Sequence, residues 1–411
     1  MSIVWILSKY RNYFGKKCYT VVVFMYDTLI FLRNSLIRSV YRGILKPIFF
    51  RNDPETVHDD MTKFGMAIGG DPFGRAFVNS LFQYRNPMLR QTIHGVTFEN
   101  PIGLAAGFDK NAQLTAILPS VGFGYEEVGS ITGAACAGNP KPRLWRLPKS
   151  QSLAVYYGLK NDGSEAIAAR LAGKRFAFPV GMSIAMANNK ENADDIVRGI
   201  DDFAKAFRTM EPLASYVTVN ISCPNTSGGQ PFINPNNFDA LFAVLDTIQL
   251  HATANGGEKP IFIKLSPDLS NEQLDALLEI AHRHRIHGII CTNLTKKRQN
   301  DKIIDDHIPE VGGLSGKVVD HLSDAMIERV YRHEQSLPVE RRLIIIGCGG
   351  VFSAEDAYRK IRLGATLIQL ITGMIFEGPQ VISEINRGLA KLLKRDGYSN
   401  IAEAVGTGVI Y

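Results

Sequence analysis

The 411-residue chain predicts an α/β fold, a (β/α)8 TIM barrel with a small N-terminal helical extension, and three observations predict it. After residue 100 one pattern recurs eight times: a short β-branched apolar run ending in Gly, Ser, Asn or Thr, then a stretch of helical period. Each run is apolar almost without a break, as strands buried on both faces are, rather than alternating. None is followed by the GxGxxG turn of a dinucleotide fold, so a closed barrel is preferred to an open doubly wound sheet.

The eight runs cover residues 102–108, 125–132, 179–185, 216–222, 261–266, 288–293, 343–350 and 367–372. Eight parallel strands are what such a barrel needs. Between them, residues 192–210, 236–251, 270–284 and 353–363 carry helical period and helix-start residues. Residues 91–100 read as a hairpin closing the barrel floor. Two connections, 133–162 and 223–236, exceed the usual loop length. Both leave C-terminal strand ends, where barrel enzymes keep their chemistry. Ahead of the barrel, residues 41–85 form a helical piece with too little apolar material for its own core. The chain thus divides into a basic apolar arm (1–40), that helical piece (41–85) and the barrel (86–411).

Composition is that of a globular protein, 45% hydrophobic and 21% charged. Five cysteines (Cys18, Cys136, Cys223, Cys291, Cys348) form no CxxC pair, so neither a disulfide framework nor a zinc site is expected, and no metal ligands are assigned. The net charge of +6 is local. Residues 1–50 hold eight Lys or Arg against Asp27 alone, whereas the other 361 residues carry 38 basic and 39 acidic groups. Nucleic-acid binding by the body therefore has no electrostatic basis. The arm is also apolar, at residues 3–7, 19–32 and 36–40. Its longest run falls short of the roughly 20 residues that span a bilayer, though extension to Ile37 gives a poor span. An interfacial helix with a basic polar face, a targeting segment and a helix docked on the barrel remain open. Membrane contact is the favoured expectation.

Polar residues at the strand ends carry the chemistry. Lys110 follows the first run; Asn220, Cys223 and Asn225 follow the fourth; Lys264 lies in the fifth; Thr292 and Asn293 end the sixth. Glycines after runs seven and eight (Gly349, Gly350, Gly373) expose backbone N–H groups where many barrels bind phosphate, and Gly312-Gly-Leu-Ser-Gly316 reads as a further glycine-rich turn. An isolated Gly-Gly is ordinarily a plain turn, and Cys291 and Cys348 read as core packing. A lysine inside the apolar run Ile-Phe-Ile-Lys264-Leu is harder to dismiss, because burying an ammonium is costly without a partner. Two lysines and three asparagines on one mouth suit a planar anionic ligand beside a cofactor phosphate.

Six motifs follow in order: Asn100-Pro-Ile-Gly-Leu-Ala-Ala-Gly-Phe-Asp-Lys110, Asn139-Pro-Lys-Pro-Arg-Leu-Trp-Arg-Leu-Pro148, Asn220-Ile-Ser-Cys-Pro-Asn-Thr226, Lys264-Leu-Ser-Pro-Asp268, Gly312-Gly-Leu-Ser-Gly316 and Gly349-Gly-Val351. In that order they resemble the successive motifs of dihydroorotate dehydrogenases. Asp53-Pro-Glu-Thr-Val-His58 resembles the quinone-tunnel helices of the membrane-associated class. The resemblance implies FMN lying along Ala105, Ala106 and Gly107, with Ser130, Ser183, Asn220, Lys264 and Thr292 at its ring or ribityl chain. Ser315, Gly316, Gly349, Gly350, Thr372 and Gly373 would hold its phosphate. Lys110, Asn161, Asn220, Asn225 and Asn293 would bind the pyrimidine, Lys110 at the carboxylate. Cys223 would take the C5 proton while hydride leaves C6 of dihydroorotate for the flavin. His58 and Arg146 would line the path to a membrane quinone. The implied home is a bacterial cytoplasmic or mitochondrial inner membrane, with lipid contact through the arm.

The chain departs from the quinone-class pattern in its catalytic mouth. Cys223 stands where that class has serine, and Val155 and Ser183 where it commonly has asparagines. Leu294 replaces a small polar residue, and Ile371 a tyrosine found in some members. The thiol is expected to be a competent base, its reference pKa of roughly 8.5 lowered by nearby cations. These features leave a soluble-type enzyme using fumarate, or NAD through a partner, as the runner-up. A non-catalytic membrane-bound flavin sensor or scaffold is the alternative from another class.

Overall fold

The structure, a computed structural model, describes residues 11–253 and 259–410. Eight parallel strands close into a barrel: β1 (Ile102–Leu104), β2 (Tyr125–Ile131), β3 (Val180–Ile184), β4 (Tyr216–Asn220), β5 (Ile261–Leu265), β6 (Gly288–Cys291), β7 (Ile344–Cys348) and β8 (Leu367–Leu370). Each pairs with its successor, and β8 pairs with β1. Every expected run contains one strand. The first is shortest, because the chain peels away after Leu104 and turns at Gly107 (φ +110°). The helix expected over 192–210 is two helices, Lys190–Asp194 and Ile196–Met210. Asp195 breaks it: its backbone is extended, and its carboxylate caps the N–H groups of Val197 and Arg198.

Complementary sizes fill the barrel's lower interior. Tyr125, Tyr216 and Phe262 point inward from β2, β4 and β5, with Ile290, Ile346 and Leu367 beside them. A Cβ at Gly103, Gly181 or Gly288 would stand 2.1–2.5 Å from one of those rings. The three glycines on β1, β3 and β6 are therefore the spaces into which the rings fit. The hairpin Gln91–Ile93 and Val96–Phe98 closes this end, Phe98 meeting Tyr125 edge to face at 5.3 Å. The opposite, C-terminal end stays open and polar.

A three-stranded antiparallel flap borders that mouth: Leu144–Leu147, Ser152–Val155 and Gly313–Gly316. The glycine-rich segment expected as a turn is thus largely a strand, paired with residues some 160 positions earlier (Ser315 opposite Leu153).

The N-terminal helices are α1 (Arg11–Val40), α2 (Lys46–Arg51), α3 (Pro54–Gly70) and α4 (Pro72–Phe82), with a π-helical turn Tyr41–Leu45 after α1. One face of α1 is pinned to the barrel helix Val381–Asp396. Arg387 grips the Asp27 carboxylate with two 2.7 Å bonds, Asn34 and Arg33 reach Ser383, and Arg38 pairs with Glu384. Asp27, an interruption in the apolar sequence, is the residue that ties the helix down. The other face leaves Phe24, Leu29 and Leu36 at 71%, 63% and 67% exposure. Phe73 and Phe77 of α4 are also exposed. Among the described residues no helix is long and apolar enough to cross a membrane. The apolar stretch 3–7 lies outside the described residues.

Candidate active site

Above the aromatic floor the inward positions turn polar. Two residues on from Tyr125 and Phe262 stand Glu127 and Lys264, and two on from Leu367 stands Gln369, since every second residue of a strand faces in. One oxygen of Glu127 accepts bonds from Thr218 Oγ1 and Gln369 Nε2, both at 2.9 Å. That contact pins the Gln369 amide and leaves its Oε1 buried without a partner among the described residues. Lys264, only 4% exposed, and Gln369 both line the cavity above. Nothing in the sequence marks Glu127, which looks like any acid in Tyr-Glu-Glu-Val.

Asparagines and serines cross-link the β4 and β6 ends. Asn220 Nδ2 donates to Ser130 Oγ at 2.8 Å, and its Oδ1 accepts from Ser222 Oγ at 3.0 Å and Asn293 Nδ2 at 3.3 Å. Asn225 Nδ2 donates to the Val155 carbonyl at 2.8 Å, while its buried Oδ1 has no partner among the described residues. Cys223 sits between them on the cavity wall. Burial pushes its thiol up to about 11. The expected lowering by cations is overturned: Lys296 acts in that direction, but removal from water outweighs it.

Lys110 follows the turn after β1. Beside it, the Asp109 carboxylate accepts the backbone N–H groups of Gln113 and Leu114 at 2.8 and 2.7 Å. The Lys110 ammonium lies 4.0 Å from the Tyr157 ring centre, and burial brings it down to about 8. His58 of α3 reaches the same cavity, its Nε2 2.8 Å from the Phe108 carbonyl. Burial, helped by the Lys110 charge, brings His58 to about 4, so it is neutral at pH 7. Just ahead of the flap, Arg143 makes a buried bidentate pair with Glu55 of α3, at 2.8 and 3.0 Å. Leu144, Leu153, Ile371 and Ile375 supply an apolar wall.

Ala105, Ala106, Gly107, Ser130, Lys264, Thr292, Ser315, Gly316, Gly349, Gly350, Thr372 and Gly373 line this one cavity, as do Lys110, Asn220, Cys223, Asn225, Asn293 and His58. Three expected residues do not. Asn161 Nδ2 is spent on Thr132 Oγ1 and the Leu159 carbonyl, and its Oδ1 accepts the Gly163 N–H. It braces the loop from behind. Ser183 stands behind Ser130, 2.8 Å from its hydroxyl. Arg146 donates to the Asn52 carbonyl at 2.7 Å and lies over the Phe50 ring, joining flap to α2. The residues present fit a flavin. A Cβ on Gly107 would meet nothing nearer than Ile371 Cδ1 at 4.0 Å, so its Cα faces open space. The orphaned carbonyl oxygens of Gln369 and Asn225 call for N–H donors, which imide-bearing rings supply.

A closed barrel with a polar, glycine-lined mouth is the form of an α/β-barrel enzyme, and its relatives make it an oxidoreductase. A family model described as dihydroorotate dehydrogenase matches residues 88–393, and the chain belongs to that family, whose members are flavin-dependent. A curated relative from Gloeobacter violaceus, a dihydroorotate dehydrogenase (quinone), is 36% identical over 90% of this chain and 99% of its own. One of the same name from Natronomonas pharaonis is 37% identical over 89% of this chain and 99% of its own. The crystal structure of the Eimeria tenella enzyme with ferulenol superposes with a TM-score of 0.76 at 27% identity, over 86% of this chain and 95% of that one.

Proposed function

We infer that this chain oxidises dihydroorotate to orotate in pyrimidine synthesis, with FMN in the barrel mouth and a membrane quinone as electron acceptor. The observation that carries it is the gathering of Lys110, Asn220, Cys223, Asn225 and Asn293 on one cavity floored by Lys264 and Gln369. Bound there, FMN would supply the acceptor for the C6 hydride of dihydroorotate and the relay of its electrons to quinone. Lys110 holds the substrate carboxylate, a partner that restores the charge burial disfavours. The asparagine amides grip the pyrimidine ring, and their bonds to Ser130, Ser222 and the Val155 carbonyl keep them from rotating. Cys223 Sγ removes the C5 proton. Lys264 would hold positive charge against the cofactor ring. Gly316, Gly349, Gly350 and Gly373 expose backbone at its phosphate, with the hydroxyls of Ser315 and Thr372 2.9 Å apart beside them.

The apolar wall of Leu144, Leu153, Ile371 and Ile375, next to His58, supports a quinone path on the side of the N-terminal helices. Their exposed Phe24, Leu29, Leu36, Phe73 and Phe77 support docking on a membrane surface, bacterial cytoplasmic or mitochondrial inner, where such quinones dissolve. Cys223, a soluble-class feature, favours fumarate or NAD as the second reading. The test is anaerobic addition of dihydroorotate to the purified yellow protein, followed by each acceptor in turn. Bleaching reversed by quinone alone supports the proposal. Bleaching reversed by fumarate moves it to the soluble class, and no bleaching leaves a flavin-binding barrel without this activity.

A further inference from the structure

We propose that His282, His333 and Glu334 form a zinc site at the floor end of the barrel, opposite the catalytic mouth. His282 caps the C-terminal end of helix Asn271–Ala281, and His333 and Glu334 end helix Asp320–Gln335. These helices follow β5 and precede β7, so their C-terminal ends lie where the strands begin. Glu334 is 1% exposed, a carboxylate that cannot stay buried without compensation. One oxygen accepts the backbone N–H of Leu343 at 2.7 Å, just ahead of β7. The other faces His282 Nε2 at 3.0 Å and His333 Nδ1 at 3.1 Å. The two imidazoles stack, 6.0 Å apart and inclined by 19°.

The three donor atoms lie within 4.8 Å of one another. Zinc bonds to nitrogen and oxygen are about 2.0–2.2 Å, which puts tetrahedral ligands roughly 3.3–3.5 Å apart. Two edges of that tetrahedron are therefore close to metal-ready spacing. Two imidazoles and one carboxylate favour zinc over magnesium or calcium, which prefer all-oxygen shells. The fourth position falls on the solvent side, where His333 is 29% exposed against 11% for His282. Neighbouring guanidinium charges are matched by acids: Arg283 by Asp239, Arg329 by Asp275 and Arg332 by Glu328. Without metal, the same geometry is a carboxylate oxygen accepting one N–H from each ring. Zinc takes the place of those two hydrogens, each ring coordinating as neutral imidazole with its proton on the other nitrogen. The ion would tie two successive barrel helices to the start of β7, a clamp on stability remote from turnover. Cysteine spacing gives no hint of it, because the ligands are histidines 51 positions apart.

The test uses the flavin-loaded protein, stripped with a chelator and titrated with zinc chloride by calorimetry and thermal unfolding. Wild type should bind one ion that His333→Ala and His282→Gln lose, weakening it more than about a hundredfold, since even an outer-sphere partner is worth about 10–100-fold. A zinc excess of about a hundredfold over Kd should raise the wild-type Tm by about 3 °C, and the variants' not at all. Cobalt in the same site should add tetrahedral absorption bands beyond those of flavin. Flavin content and the rate of flavin reduction by dihydroorotate, unchanged in both variants, show that they are folded. His333, part-exposed, is the safer substitution. Identical zinc isotherms and Tm responses in wild type and both variants would overturn the site, leaving a hydrogen-bonded carboxylate.

Discussion

Within the catalytic cavity, burial moves two groups in opposite directions: the Cys223 thiol up to about 11 and the Lys110 ammonium down to about 8. The proposed chemistry needs the thiolate and the cation together. Below pH 8 the lysine is charged, and the thiolate fraction rises tenfold per pH unit. Between pH 8 and 11 the cation disappears as fast as the thiolate appears, so their joint population stays level at about one in a thousand. The kcat/KM for dihydroorotate, which reports the free enzyme, should therefore climb to about pH 8 and then flatten. In the complex the substrate carboxylate raises Lys110, so kcat should go on climbing above pH 8. Both profiles come from stopped-flow flavin reduction, and a kcat that levels off with kcat/KM would remove Lys110 from the carboxylate. Cys223→Ala should retain flavin and bind orotate, yet reduce its flavin about 10²–10⁴-fold more slowly. Cys223→Ser should keep measurable activity with its optimum moved to higher pH. A near-normal rate in the alanine variant would reassign proton abstraction. Ser222 is poorly placed to inherit it, since its hydroxyl donates to Asn220 and accepts from Asn293.

Between elements, a buried ion pair ties α3 to the residue just ahead of the flap. Burial alone would raise the Glu55 carboxyl, but its bonds to Arg143, with Lys141 and Lys160 nearby, hold it at about 2. A depressed carboxyl contributes stability that is complete above its ordinary pKa and is lost as pH falls through the folded one. Acid should therefore loosen α3 between about pH 4.5 and 2, which Trp145 on the flap should report by fluorescence. Glu55→Gln should abolish that transition and cost about 3 kcal/mol at pH 7, because a buried guanidinium loses its counter-charge. An unchanged fluorescence titration would place the acid-sensitive contact elsewhere. A second element-level prediction concerns the exposed face of α1. Each large apolar side chain moved out of water contributes about 1.5–3 kcal/mol. Replacing Phe24, Leu29 and Leu36 with Ser should thus lower sedimentation with lipid vesicles more than about tenfold without slowing flavin reduction, and so should removal of residues 1–40. Unaltered sedimentation would shift the anchor to Phe73 and Phe77. The eight strands were legible because burial on both faces writes a continuous apolar run into the sequence. The flap was not. Its strand Gly313–Gly316 gains its partner, Ser152–Val155, across most of the barrel, and glycine content argues locally for a turn. Asp27 was misleading for the same reason, since Arg387 lies 360 positions away. Most candidate residues reach one cavity because barrel topology sends every strand end to the same mouth. Asn161 and Ser183 do not, as backing residues share the polarity of the site they support.

At the scale of the molecule, one cavity meets two kinds of surface. Toward β4 and β6 its wall is amide and thiol; toward α3 and the flap it gains the apolar Leu144, Leu153, Ile371 and Ile375, with His58 beside them. A reaction in which an aqueous anion gives electrons and a lipid-soluble quinone takes them needs such a division. The two half-reactions should therefore respond separately to substitution. His58 is neutral at pH 7, its Nε2 on the Phe108 carbonyl and its Nδ1 3.2 Å from the Asp59 carboxylate, so it can flank a quinone but carries no charge to the substrate. His58→Ala should slow reoxidation of the reduced flavin by quinone at least about tenfold while flavin reduction by dihydroorotate stays within about twofold. Arg146 makes a sharper test because it does not touch the cavity. Its guanidinium holds the Asn52 carbonyl and covers Phe50, whose ring packs on Phe376 at 5.3 Å. If those contacts set the position of α2 and α3 against the flap, Arg146→Ala should weaken quinone reduction through KM more than through kcat. Arg146→Lys, lacking the planar fork, should restore it only in part. Rapid-mixing measurement of each half-reaction separates the cases. Selective loss in the quinone half ties the helices to the acceptor path, whereas equal loss in both halves makes Arg146 a fastener of the fold.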